Sequence, residues 1–82
     1  MQKAGKILII RLSSFGDIVL SFPLLKRIKS RHPESEIHFL TKPAYEDVVK
    51  LSPSADRVIL LKNSLKESRK KISEGKYDVI ID

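Results

Sequence analysis

The sequence predicts an α/β chain built on a parallel four-stranded sheet, and three observations point there. Ile7, Leu8, Ile9 and Ile10 form a continuous apolar run without polar alternation, which asks for cover on both faces, as in the interior of a parallel sheet. Further short β-favouring runs follow at 36–40, 57–61 and 77–82. Stretches of helical period lie between them, so short links and right-handed crossovers give the strand order 3-2-1-4, with the first strand internal.

Met1 to Gly5 reads as a frayed start, and the first strand covers 6–11. The next residues, Leu12 to Gly16, suit a tight turn before a helix whose apolar stripe is Ile18, Phe22, Leu25 and Ile28. Pro23 cannot donate to the carbonyl of Val19. Either the helix kinks there, or a short first turn gives way to a second helix starting near Phe22, with Pro23 in its first turn. His32-Pro33 ends it, because the residue before a proline avoids the α region.

In the second strand, Ile37 and Phe39 fall on one face and His38 and Leu40 on the other. A lone strand histidine is expected to be a hydrogen-bonded structural residue rather than a ligand. Pro43 opens a short helix with Ala44, Tyr45, Val48 and Val49 on its buried side, closed by Ser52-Pro53. After the third strand, Ser64 and Glu67 have the spacing of a capping box and Gly75 that of a C-terminal cap. The helix between them has a thin stripe, Leu65 and Ile72, and should lie on the surface. The architecture is half of a Rossmann-like domain. Its last strand, Val79 to Ile81, would be an apolar edge, and domains seldom leave such an edge open. The 82 residues are therefore expected to be the N-terminal piece of a longer protein, with the last strand associating or poorly ordered in isolation.

Composition narrows the function classes. There is no cysteine, so neither a disulfide framework nor a thiolate metal site exists, and two distant histidines give no zinc spacing. The apolar runs are far shorter than the roughly 20 residues that span a bilayer, and the N-terminus lacks the apolar region of a signal peptide. The net charge is +6; residues 62–76 contribute +4 of it, and Lys26, Arg27, Lys29 and Arg31 form a second basic cluster. Both segments suit phosphates or solvent. The 62–76 segment is expected to touch anionic surfaces weakly and without sequence choice.

Chemistry is expected at the carboxyl end of the first strand, where open α/β sheets bind ligands. The loop has one glycine, Gly16, so it lacks the three of a dinucleotide fingerprint, and no Gly-Lys-Ser/Thr ending of a P-loop follows. What remains is Ser13-Ser14-Phe15-Gly16-Asp17 at a helix start. Hydroxyls and free amides suit a phosphate or sugar, and the carboxylate suits a substrate hydroxyl. Residue type alone leaves Asp17 open between a helix cap and a general base.

The run KILIIRLSSFGDIVLSFP, Lys6 to Pro23, resembles the opening of the glycosyltransferase family 9 enzymes, the ADP-heptose:lipopolysaccharide heptosyltransferases. TKPAYEDVVKLSP, ADRVI and YDVIID extend the resemblance over nearly the whole chain. It implies the N-terminal, acceptor-side part of a two-domain GT-B fold, with the donor-binding domain absent from this chain. It also implies inverting transfer of a heptose from a nucleotide-diphosphate sugar to a lipopolysaccharide core or lipid A acceptor, in the cytoplasm or at the inner membrane surface. No cofactor or metal is implied, the nucleotide sugar being a substrate. By resemblance Asp17 is the base, Ser13, Ser14 and Gly16 shape the substrate-binding loop, and the piece alone is inactive. The alternative is a small basic α/β module for nucleic acid or another polyanion. Against it, the few aromatics are not interleaved with the cations, so no specific nucleic acid is expected.

Overall fold

The computed structural model describes residues 5–12, 14–61 and 65–81, without the side chains of 65–68 and 71. The strands are β1 (Lys6–Ile10), β2 (Glu36–Thr41), β3 (Arg57–Leu60) and β4 (Val79–Ile81), all parallel, in the order β3-β2-β1-β4. β1 is internal, as its uninterrupted apolar run demands: Ile7, Leu8 and Ile9 are all buried. The register sets Ile9 beside Phe39 and Ile81, and Phe39 beside Val58, in one apolar row across the sheet.

Helices α1 (Phe15–Leu20), α2 (Phe22–Arg31) and α3 (Glu46–Val49) cover one face. Ile18, Leu25 and Val49 pack with Ile7, Ile9, Ile37 and Phe39 to make the core. The stripe at 18, 22, 25 and 28 is thus the buried side, but it belongs to two helices. The second alternative at Pro23 is the one realised, since Pro23 stands in the first turn of α2, where its missing amide costs nothing. Ser21 makes the joint: its amide and its hydroxyl both donate to the Ile18 carbonyl, at 3.1 and 2.6 Å. His32 closes α2 as expected.

The segment after β2 is a single 3₁₀ turn, Pro43–Tyr45, leading into α3, and Ala44 is exposed rather than buried. A 3₁₀ turn rotates successive side chains faster than an α-helix, so Ala44 leaves the face that Tyr45, Val48 and Val49 share.

The opposite face holds Leu8, His38 and Leu40, and α4 (Leu65–Gly75) borders it through Glu74 and Gly75. Gly75 is not the left-handed cap that its position suggests. It is the last helical residue, and Lys76 takes the positive φ, 51°. A side chain at 75 would meet Tyr77 Cε2 at 2.5 Å, so glycine serves close approach here. Ser64 of the expected capping box, Lys62 of the basic segment, Ser13, Asp82 and residues 1–4 lie outside the described residues. Gly5 precedes the strand, with φ at 65°, yet it is already tied to the sheet: its carbonyl accepts from the Glu36 amide at 2.9 Å. At the far edge, Val79 and Ile80 of β4 are about half exposed.

Candidate active site

The site grows out of the end of β1. Its ladder continues one residue further, with the Arg11 amide donating to Leu40 O at 3.1 Å, and then the chain leaves the sheet. Ser14 is extended (φ −96°, ψ 173°) and caps α1, whose first helical bond runs from the Ile18 amide to Ser14 O at 3.1 Å. The turn therefore ends at Ser14, and Phe15, Gly16 and Asp17 are helical. Ile18, fully buried, fixes this first turn to the core.

Asp17 is exposed in that turn, and the Ser14 hydroxyl donates to its Oδ2 at 3.2 Å. The residue that starts the helix is Ser14, so Asp17 is not the N-cap. Its carboxylate faces solvent near the positive end of a short helix dipole. Gly16, also exposed, has ordinary helical φ, and a Cβ there would meet nothing within 4 Å. The backbone does not need glycine at 16. Glycine in a helix costs about 0.5–1 kcal/mol relative to alanine, so its presence here has no account inside this fold.

Two cations that the sequence reading passed over stand at the same end of the sheet. Arg11 follows β1 and Lys42 follows β2, both exposed. The signal was available, a basic residue directly after each apolar strand, but it becomes meaningful only once parallel pairing brings the strand ends together. Between them, Thr41 is buried, and its hydroxyl has no hydrogen-bond partner among the described residues. Ser14, Gly16 and Asp17 lie together at the start of α1, while Ser13 falls outside the described residues. No cluster of metal-ligating side chains occurs among those residues, and none of their helices is long and apolar enough to cross a membrane.

A second concave region lies at the opposite, amino end of the strands, a cleft of about 420 Å³ bordered by Lys6, His38, Arg57, Glu74 and Tyr77. His38, buried to 4 % exposure, has Nδ1 2.7 Å from the Tyr77 hydroxyl and Nε2 3.0 Å from Glu36 Oε1. Tyr77 O–H is placed to donate to Nδ1, while Nε2 lies within ion-pair distance of Glu36 Oε1 but without the alignment of a full hydrogen bond. Hydrogen bonding from His38 holds the Glu36 carboxyl below its usual range against a smaller opposing effect of burial, and burial pushes the Tyr77 phenol up. His38 is the structural histidine that its strand position suggested.

Comparison with known proteins bears on the chain as a whole. No family model matches the chain. Over 56 residues it is 39% identical to lipopolysaccharide heptosyltransferase 1 of Campylobacter coli, a match covering 68% of this chain and 16% of that protein. The chain is heptosyltransferase-like. It also superimposes on the crystal structure of a family 9 glycosyl transferase from Veillonella parvula with a TM-score of 0.77 at 20% identity, over 98% of this chain and 26% of that one. This heptosyltransferase-like chain therefore has a glycosyltransferase fold over nearly its whole length, while spanning only a minor part of either relative.

Proposed function

We propose that the chain is the acceptor side of an inverting glycosyltransferase that moves a heptose from a nucleotide-diphosphate sugar to a lipopolysaccharide core acceptor, the donor being held by a further domain. The observation that carries this reading is the first turn of α1. There an exposed carboxylate, Asp17, is held among the described residues only by the Ser14 hydroxyl, beside a glycine that the fold itself does not require. A sugar ring can approach the backbone at Gly16 with its hydroxyl directed at Asp17.

In the reaction so drawn, the acceptor hydroxyl oxygen attacks the anomeric carbon of the donor. The bond to the leaving nucleoside diphosphate breaks, and Asp17 takes the hydroxyl proton. A single displacement inverts the anomeric centre. Arg11 and Lys42, at the same end of the sheet, are suited to anionic groups of the acceptor or to the departing diphosphate.

The test is a transfer assay with the longer protein that carries the donor-binding domain, supplied with a nucleotide-diphosphate heptose and a lipopolysaccharide core acceptor. The expected product gains the mass of one heptose residue, with release of one nucleoside diphosphate. Unchanged acceptor and intact donor under conditions where both bind would contradict the proposal.

A further inference from the structure

Ile18, Leu25 and Val49 of α1, α2 and α3 turn inward to the core, but large apolar side chains also stand exposed on α1 and in the turn after α3. Leu20 is 75 % exposed, Leu51 76 % and Phe15 58 %. Phe22, Pro23 and Lys26 face Leu51 and Pro53 across a groove of about 630 Å³. Charge on this side is one-signed along α2, whose ten residues include Lys26, Arg27, Lys29 and Arg31 and no carboxylate. Lys29 is committed to Asp56 at 2.7 Å and to the Ser35 carbonyl. Lys26, Arg27 and Arg31 are exposed and make no ion pair among the described residues.

From this pattern we infer that the outer surface of α1, α2 and the turn after α3 rests on a bilayer containing anionic phospholipid, with Leu20 and Leu51 entering the headgroup boundary and Lys26 and Arg27 meeting the phosphates. Exposed leucines beside unpaired cations are unfavourable in water and matched at such a surface, where apolar burial and attraction to anionic lipid add. A polyanion such as nucleic acid would satisfy the cations and leave the leucines in water. The basic helix α4 does not share the surface, because it borders the opposite face of the sheet. Its exposed described residues, Arg69, Lys70, Ser73 and Glu74, include no large apolar one. The inference stands without the proposed reaction, since it assigns no role to Ser14, Gly16 or Asp17.

The test is co-sedimentation of this chain with vesicles of phosphatidylglycerol mixed with phosphatidylcholine, and with vesicles of phosphatidylcholine alone, at low and high salt. Binding to the mixed vesicles is expected to exceed binding to the neutral ones by about tenfold or more, and to weaken with salt. The pair L20S/L51S and the pair K26E/R27E should each lower partitioning about tenfold or more, with the thermal midpoint unchanged because all four side chains are exposed. R69E/K70E on α4 should change it by no more than about twofold. Equal binding to both vesicle types would overturn the inference, as would loss of binding in R69E/K70E with L20S/L51S unaffected. A dimer in solution that L20S/L51S dissociates, with no vesicle binding by the wild-type chain, would assign the surface to a second copy and overturn it as well.

Discussion

The two ends of the sheet are built on opposite plans. At the amino end polar side chains tie neighbouring segments together, although His32 Nδ1 and His38 Nε2 have no hydrogen-bond partner among the described residues. Asp78 accepts from the Lys6 amide at 2.9 Å, Asp56 accepts from the Ile37 amide and the Lys29 ammonium at 2.7 Å each, and His38 is held between Tyr77 and Glu36. At the carboxyl end Arg11, Lys42 and Asp17 stand exposed, with the Ser14–Asp17 hydrogen bond as the one tie of their side chains among the described residues. One end uses its polar side chains to tie the starts of the four strands to one another, and the other leaves Arg11, Lys42 and Asp17 exposed. Changes at the amino end should therefore move stability and changes at the carboxyl end should move function.

The largest stability effect is expected at Asp56, whose Oδ2 serves two donors. Partial burial pushes its carboxyl up, but the Ile37 amide and the Lys29 ammonium outweigh this and hold it below the usual carboxylate range. Asp56→Ala should cost about 1.5–3 kcal/mol, nearer the lower figure because solvent screens a pair that is a third exposed. A domain of this size then melts about 4–8 °C lower per kcal/mol. Because the folded pKa is depressed, the stabilisation is present above the ordinary carboxylate pKa, about 4, and is lost as pH falls through the lower folded value. Asp56→Asn should flatten that acid limb. An unchanged acid limb would mean that Asp56 is not a clamp.

Next in size is Tyr77→Phe, which leaves the buried His38 Nδ1 without its donor and should cost about 1–2 kcal/mol by denaturant unfolding. Burial raises the Tyr77 phenol, so its contribution is full below the ordinary tyrosine pKa, about 10, and is lost as pH rises through the folded value. A neutral substitution would place the His38–Tyr77 contact outside the stabilising network and blunt the contrast between the two ends.

The smallest effect has the opposite sign. Gly16→Ala adds a methyl group that touches nothing and removes a flexible residue from a helix, so it should stabilise by about 0.5–1 kcal/mol. Under the proposed reaction the same change weakens acceptor binding, because the methyl group occupies the approach to Asp17. A gain in stability with unchanged KM would remove Gly16 from the site.

These contrasts show where the sequence could be read and where it could not. The parallel order was legible because Ile7 to Ile10 leaves no polar face, and His38 was legible as structural because a strand places it opposite the core residues Ile37 and Phe39. The true role of Gly75 was not, since it depends on Tyr77 folding back over the helix end, a contact with no local signature. The split of the first helix was foreseen only as one of two options, because Pro23 fits either a kink or a first turn and the Ser21 bonds decide between them. Arg11 and Lys42 were hidden by their separation in sequence. Only the β1–β2 pairing makes them neighbours at one end.

The measurement closest to the central claim is turnover against melting for Asp17→Asn in a protein that joins this chain to the donor-binding domain the proposed function requires. Ser14, not Asp17, caps α1, so the substitution should leave the thermal midpoint nearly unchanged. Asparagine cannot take the acceptor proton, so kcat should fall by about two or more orders of magnitude. Near-normal kcat in Asp17→Asn would contradict the assignment and place the base elsewhere.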